Sequence, residues 1–346
     1  MRAIVLTRRG TPVTPNIEFQ TGWKELEAPK PGEAVIRTLT SAFNHMDLWV
    51  GMGLPGIDGY PRITGCDACG VVESVAPGVN DKWVGQRVIV NAAYALPERQ
   101  SPGDPPGSSL APQYELIGEH VDGMFRERFT APVANLAPVG DADPIEAAAF
   151  GLCFLTAYSG LVTKANLRPG QTLLVTGIGG GVATSALAIG KWLGCSVAVT
   201  SRHQWKLDAA AKLGADLGVL DKGQDWSKEL RAWTDKRGVD ACYDSTGKAT
   251  HLNAIKSLAR GGAYVSPGAT TGGDATGDLT RLFWNQLRIL GTTMGTNDEF
   301  REVTALLRAG RLKPVVDRVF KPEQAKEAYA RLEAAEQFGK IVIDWR

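Results

Sequence analysis

Cysteine is scarce in this chain: five residues in 346, at positions 66, 69, 153, 195 and 242. An odd, scattered set of thiols argues against a disulfide framework and fits reduced cysteines in a cytoplasmic protein. Charge of one sign is lacking too. The 38 Lys and Arg residues oppose 37 Asp and Glu, for a formal net charge of +1. No nucleic acid or membrane partner is therefore expected, although that balance leaves room for a local basic pocket. No apolar run approaches the roughly 20 residues that span a bilayer. The opening "MRAIVLTRRG" is too briefly apolar for a signal peptide and reads as a first strand.

What is present is ordinary globular material, 44% hydrophobic and 22% charged, with 40 glycines that follow no collagen-like period. The length favours two domains over one core. Up to about position 135, "EAVIRTL", "GVVESVA", "QRVIVNA" and "RFTAPV" read as short strands between turn signals. The turn-rich segment 91–113 reads as an exposed loop. The pattern changes near Asp143, a plausible helix N-cap with Pro144 at the first helical position. Strands and helices then alternate: "TLLVTG" and "GVATSALAIGKWLG", "SVAVTS" and "QWKLDAAAKLGA", "VDACYDST" and "ATHLNAIKSLA", then "GAYVSPGA". Such alternation implies an α/β fold with a doubly wound parallel sheet. Two helical patterns and a last strand, "KIVIDW", close the chain.

The first α/β strand runs into Gly177-Ile178-Gly179-Gly180-Gly181, with a helix from about Val182. Glycines let the backbone approach a pyrophosphate, and the helix N-terminus offers free N–H groups and a favourable dipole. Ile178, Gly180 and Ala183 form the best register for a dinucleotide fingerprint; a tight turn without a ligand is the alternative. At the end of the second strand an NAD site wants a carboxylate. Ser201 and Arg202 stand there, with Lys206 one turn on. Hydroxyl and cationic groups suit a 2′-phosphate, so NADP(H) is the expected cofactor.

The stretch "GCDACG" (65–70) raises the question of a metal. A single C-x-x-C is too few ligands for a structural zinc, and on a strand Cys66 and Cys69 would face opposite ways. No metal site is expected.

Over nearly its whole length the sequence resembles the medium-chain dehydrogenase/reductase superfamily, nearest its quinone-oxidoreductase-like and zinc-type-alcohol-dehydrogenase-like members. The motifs that carry this include "NHMDLWVGMG", "GCDACGVVESVAPGV", "VGQRV", "LTAYSGL", "TGIGGGVA", "KLGAD" and "FGKIVI". The resemblance implies a GroES-like β-rich catalytic domain at 1–138 and 298–346 and a Rossmann NADP-binding domain at 139–297, with the active site where the two meet. Zinc-dependent relatives bind a catalytic metal through three ligands. By motif these positions hold Asn44, Cys66 (with Asp67 in the place of a glutamate) and Leu152, of which only Cys66 can ligate well. The resemblance also implies roles for single residues. Asn44 would be a polar contact to substrate or cofactor, with Asp47 as an orienting group behind it. His45 would contact the pyrophosphate, Lys340 would reach the phosphates, and Thr156, Gly268, Met294 and Gly295 would line the nicotinamide end. Gly177, Gly180, Gly181 and Val182 would cradle the dinucleotide. Histidines 120, 203 and 251 show no partners in sequence and are expected at the surface.

The expected function is a zinc-independent, NADPH-dependent oxidoreductase that transfers hydride to a small molecule, a quinone or an α,β-unsaturated carbonyl. Without a Lewis acid, conjugation must spread the developing negative charge. An NADP-dependent, zinc-type alcohol dehydrogenase and a non-catalytic NADPH-binding protein remain alternatives. Relatives often pair through the edge strand near "LRILGTTM", so a homodimer is expected.

Overall fold

Along "EAVIRTLTSA" the residues Ala34, Ile36, Thr38 and Thr40 are buried while Arg37 is exposed. That period of two puts one face of a strand in a core. In the computed structural model, which describes residues 1–95, 109–111 and 114–346, this strand, Glu33–Ala42, is the centre of a mixed sheet. Its neighbour on one side is Asp67–Val75; on the other it pairs first with Arg128–Pro132 and then with Lys340–Asp344. The sheet continues outward to Arg87–Val90 and Leu136–Pro138 at one end and Val316–Phe320 at the other. A smaller sheet joins Ile17–Gln20, Ala3–Leu6 and Arg62–Ile63. The C-terminal strand thus lies beside one of the first strands, which brings Lys340 next to residues some 300 positions earlier in the chain.

The chain divides into two compact units, Met1–Leu152 with Thr296–Arg346, and Cys153–Gly295. This division differs from one at 138/139 for a local reason. The helix Pro144–Tyr158 is tied at its start to the first unit, where Thr40 Oγ1 donates to the Pro144 carbonyl at 2.6 Å. Asp143 acts as its N-cap, its Oδ1 accepting the Ile145 N–H at 2.8 Å.

In the second unit six strands run parallel in the order Leu217–Leu220, Ser196–Ser201, Thr172–Val175, Val239–Tyr243, Leu258–Ser266, Arg288–Gly291. This is the doubly wound arrangement, and its order reverses between Thr172–Val175 and Val239–Tyr243. The core strands read as near-continuous apolar runs because both faces are covered. One cluster packs Trp226, fully buried, with Val219, Leu230, Ile255 and Tyr264.

Two sequence expectations need correction. Within 91–113, Asn91 is fully buried and Ala93–Ala95 forms a strand, so the segment does not begin as an exposed loop; 96–108 and 112–113 lie outside the described residues. The helical stretch Pro144–Lys164 is long and apolar enough to cross a membrane by length and composition. However, 78% of its most apolar window is buried inside the fold, as in a core helix.

Trp226→Ala is expected to destabilise the protein by about 3–5 kcal/mol through the cavity it leaves. Urea unfolding checks this, and an unchanged midpoint would contradict the packing described.

Candidate active site

In the second unit the strand order reverses beside Thr172–Val175, and the C-terminal end of such a strand is the place where doubly wound sheets bind ligands. The turn that follows is glycine-rich for visible reasons. Gly177 has φ +61° and Gly179 φ +142°, conformations that side chains rarely adopt. A Cβ at Gly177 would meet Thr246 Oγ1 at 2.6 Å, and one at Gly179 would meet Lys206 Cδ at 2.8 Å. The Gly177 N–H donates to Thr200 Oγ1 at 3.2 Å and the Ile178 N–H to the Thr200 carbonyl at 2.8 Å, which fixes the turn on the second strand. Gly180 is extended, caps the helix Gly181–Trp192 and has no atom within 4 Å of where a Cβ would stand. The positions that demand glycine for backbone reasons are therefore 177 and 179, one step away from the expected register of 178, 180 and 183. Half-exposed Gly181 and Val182 open the helix, whose first-turn N–H groups have no acceptor within it. These features fit a dinucleotide pyrophosphate.

A buried carboxylate organises the same corner. Asp244 is fully buried; its Oδ1 accepts from Thr176 Oγ1 at 2.6 Å, the Thr246 N–H at 2.8 Å and Thr250 Oγ1 at 2.9 Å, and its Oδ2 from Tyr264 OH at 3.1 Å. It locks the exit of the fourth strand against that of the first. The His251 ring stands edge-on to Tyr264 at 4.8 Å, and burial lowers its pKa, so His251 is half-buried rather than a surface residue.

At the end of the second strand Ser201 is buried, its Oγ accepting the His203 N–H at 3.2 Å, and Arg202 is exposed. Asp221, whose N–H donates to the Ser201 carbonyl, turns its carboxylate to its own loop, where Oδ1 accepts the Gly223 N–H at 2.9 Å. Lys206 folds back over the glycine turn and its Nζ lies 5.1 Å from the Trp205 ring centroid. Further along the unit, Thr156 Oγ1 lies 3.8 Å from Met294 Sδ. Met294 holds φ +51°, a strained conformation for a non-glycine residue, just before Gly295. Gly268 receives Ser266 Oγ on its carbonyl at 3.1 Å.

The first unit holds a second polar cluster. Asn44 precedes the helix His45–Met52, and Asp47 in the first turn reaches back so that Oδ2 accepts the Asn44 N–H at 2.8 Å. Its Oδ1 accepts the Gly65 N–H, also at 2.8 Å. Fully buried, Asp47 has its pKa pushed up to about 6, mainly by desolvation, against the pull of those two N–H groups and of Lys340. The Asn44 amide turns the other way: Nδ2 donates to Cys66 Sγ at 3.2 Å and to Asp67 Oδ2 at 2.8 Å. Lys340 Nζ donates to Asn44 Oδ1 at 2.6 Å and to Asp67 Oδ2 at 2.9 Å. Asp67 Oδ1 takes the Leu152 N–H at 2.7 Å, an approach that Gly151 allows because a Cβ there would stand 2.5 Å from that oxygen. Lys340 and Asp67 are 3% and 1% exposed, so this is a buried ion pair. Lys340, expected at the cofactor phosphates, is thus directed onto Asn44 and Asp67. His45 is half-buried with its pKa lowered by burial, its ring edge-on to Trp49 at 5.2 Å.

The three positions that the resemblance implies for zinc ligands carry one amide, one thiol and one leucine. Cys66 already accepts from Asn44, both Asp67 oxygens are engaged, and an ammonium lies in their midst. Among the described residues no group of three or more His, Cys, Asp or Glu side chains could hold a metal ion. This donor set does not fit a catalytic zinc. Cys69 is fully buried packing, its thiol pushed up to about 12 by desolvation. Sequence reading missed the Asp67–Lys340 pair and the Asp244 hub. The one signal for the first was a lysine placed directly before the apolar run "IVI" of the strand Lys340–Asp344.

Two family models match the chain: an alcohol dehydrogenase GroES-like domain over residues 30–141 and a zinc-binding dehydrogenase over 181–309. The zinc-type alcohol dehydrogenase-like protein YogA of Leptosphaeria maculans is 31% identical, with 92% of each chain covered. The acryloyl-coenzyme A reductase of Sulfurisphaera tokodaii is 28% identical over 92% of this chain and 95% of its own. Among solved structures, that of an NAD-dependent alcohol dehydrogenase covers 100% of both chains at 36% identity with a TM-score of 0.91.

Because the folded pKa of Asp47 lies above its unfolded value, its contribution to stability is complete below about pH 4 and is lost as pH rises through about 6. Asp47→Asn removes that titration and leaves one backbone N–H without its acceptor. The variant's loss of unfolding free energy is expected to be larger at pH 5 than at pH 7 by about 1 kcal/mol. Urea unfolding at both pH values tests this; a loss independent of pH would contradict the burial argument.

Proposed function

The chain belongs to the medium-chain dehydrogenase/reductase superfamily, a family of nicotinamide-dependent oxidoreductases, and on that premise we propose a zinc-independent, NADPH-dependent reductase of quinones or α,β-unsaturated carbonyls. The observation that carries the reading is the buried Lys340–Asp67–Asn44 cluster at the ligand positions, a donor set unsuited to zinc. When bound, the dinucleotide supplies the hydride. The protein's part is to orient it and to hold fixed charge near the reacting atoms. A conjugated acceptor suits such a site, because its own π-system spreads the charge that a Lewis acid would otherwise stabilise. The acryloyl-coenzyme A reductase among the relatives names an acceptor of that class.

Gly177, Gly180 and the N-terminus at Gly181 and Val182 receive the pyrophosphate. Arg202, with Ser201 and Lys206, receives a 2′-phosphate, a reading supported by the absence of a carboxylate on that strand end and by Asp221 turning away from it. Thr156, Met294, Gly295 and Gly268 line the nicotinamide end, and His45 faces the phosphates. Asn44 serves as a polar contact through the second lone pair of its carbonyl oxygen, the first being taken by Lys340 and both amide protons being committed, and Asp47 orients it from behind. The five cysteines, all free thiols, accord with a cytoplasmic protein.

A homodimer forms through the edge strand Arg288–Gly291. That strand has no second neighbour among the described residues, and it lies close in sequence to exposed Leu279, Phe283 and Trp284. Unpaired edges and apolar patches of this kind invite pairing. Phe283→Asp is expected to turn a dimer into a monomer in light scattering; a monomeric wild type would contradict the interface.

The cofactor reading is tested by kcat/KM with each dinucleotide and a panel of quinones, enones and alcohols. NADPH with a conjugated acceptor should be preferred, and Arg202→Ala should raise KM for NADPH about tenfold while leaving that for NADH unchanged. A preference for NADH, or alcohol oxidation as the main activity, would overturn the reading in favour of an alcohol dehydrogenase.

A further inference from the structure

Two hydroxyls in the second unit are buried without a use in the reaction as proposed. Tyr243, 1% exposed by residue, ends its strand, and Thr292, 5% exposed, follows the edge strand Arg288–Gly291. Neither the Tyr243 hydroxyl nor Thr292 Oγ1 has a hydrogen-bond partner among the described residues. Burial, with the Cys153 thiol nearby, pushes the Tyr243 pKa well up, so the group stays a neutral hydroxyl. Buried polar groups are nearly always paired, because an unpaired one costs folding energy.

The two side chains share a face of the sheet. In register Tyr243 lies beside Val265, and Val265 beside Leu290, two residues before Thr292. Tyr243, Val265 and Thr292 thus form a row across the ends of three parallel strands. Gly160 closes over that row from the π-helical turn Ser159–Lys164, where the Ala165 N–H donates to the Gly160 carbonyl at 2.9 Å. Turns of this kind are frequent at functional sites. A Cβ at Gly160 would stand 2.9 Å from Tyr243 Cε2, 3.0 Å from Val265 Cγ1 and 3.2 Å from Thr292 Cγ2. One helical turn before Gly160, Thr156 meets Met294, two residues beyond Thr292. The row therefore adjoins the pair assigned to the nicotinamide end, and the strained Met294 backbone is approached from the Thr292 side.

We propose that the Tyr243 hydroxyl and Thr292 Oγ1 share a buried water molecule, and that this link holds Thr292–Gly295 in place at the nicotinamide end, making Tyr243 and Thr292 positioning residues for hydride transfer. The role rests on the reading that Thr156, Met294 and Gly295 line that end. Val265 and Gly160, the other members of the row, carry no polar side chain, and water is the partner that remains; a buried water needs about two to four polar contacts. Loosening the link lets the Met294 turn relax, so turnover suffers while the dinucleotide, gripped by its phosphates, still binds.

Tyr243→Phe and Thr292→Val remove the hydroxyls and little volume. Removal of an unpaired hydroxyl would stabilise the protein, whereas loss of a water-linked one should lower melting by about 2–4 °C in each variant. The double variant should melt no lower than the worse single one, because the first substitution already releases the water. A melting temperature that rises in Tyr243→Phe, or losses that add in the double variant, would overturn the shared water. Crystallography of the full chain checks it directly: density for a water bonded to both hydroxyls supports the link, and a direct bond between the hydroxyls, or no water, overturns it. The positioning role is read in NADPH-dependent reduction of a conjugated acceptor. For each single variant kcat should fall about tenfold with KM for NADPH unchanged, and the isotope effect with NADPH deuterated at the transferred position should rise. An unchanged kcat in both would overturn that role, since a merely structural link shifts melting alone. A wild type that reduces no conjugated acceptor would sink the functional reading and the positioning role with it, while melting and density still decide the water.

Discussion

The buried pair of Lys340 and Asp67 is the constraint around which the first unit's site is arranged. Its two partners come from opposite ends of the chain, joined because the C-terminal strand Lys340–Asp344 pairs with Glu33–Ala42, itself the neighbour of Asp67–Val75. Removing either charge alone would strand the other in a dry interior, a cost of about 3–5 kcal/mol. The Asn44 amide, Cys66, the Leu152 N–H and the small size of Gly151 all take their places from this pair. Asp47, a second buried carboxylate, is satisfied by backbone N–H groups instead, and its raised pKa reflects how incompletely they offset desolvation.

The second unit follows the same rule with a different solution. There Asp244 is held by hydroxyls and backbone N–H groups. It joins Thr176, at the exit of the first strand, to the turn carrying Thr246, whose hydroxyl stands over Gly177. The shape of the glycine turn thus depends on a carboxylate that never needs to touch a ligand. Family membership fixes the reaction type as oxidoreduction with a nicotinamide cofactor; the particular acceptor and the phosphorylated cofactor are the proposal made on these two sites.

Local pattern made much of the architecture legible. The alternation of "TLLVT", "SVAVTS" and "VDACY" with amphipathic stretches announced a parallel sheet, and Asp143-Pro144 announced a helix start that the structure contains. Shorter elements escaped notice: the strand Leu217–Leu220 and the helix Ser227–Trp233 have too few residues to establish a period. Spacing alone does not reveal which residues carry positive φ, here Gly177 and Gly179. Lys340 was the hardest to place. A lysine opening an apolar run hints at burial but does not name Asn44 and Asp67 as its partners, since such pairing follows from long-range sheet topology rather than from neighbours in sequence. Met294 at φ +51° is likewise a product of tertiary context.

The central claim is that a fixed ammonium, not a metal ion, supplies the positive charge in this site. Its most direct test is the rate of NADPH-dependent reduction of a conjugated acceptor before and after exhaustive treatment with 1,10-phenanthroline, with zinc measured in the same samples. The account predicts an unchanged rate in protein containing no stoichiometric zinc. A rate that falls with loss of bound zinc and returns when zinc is restored would contradict it.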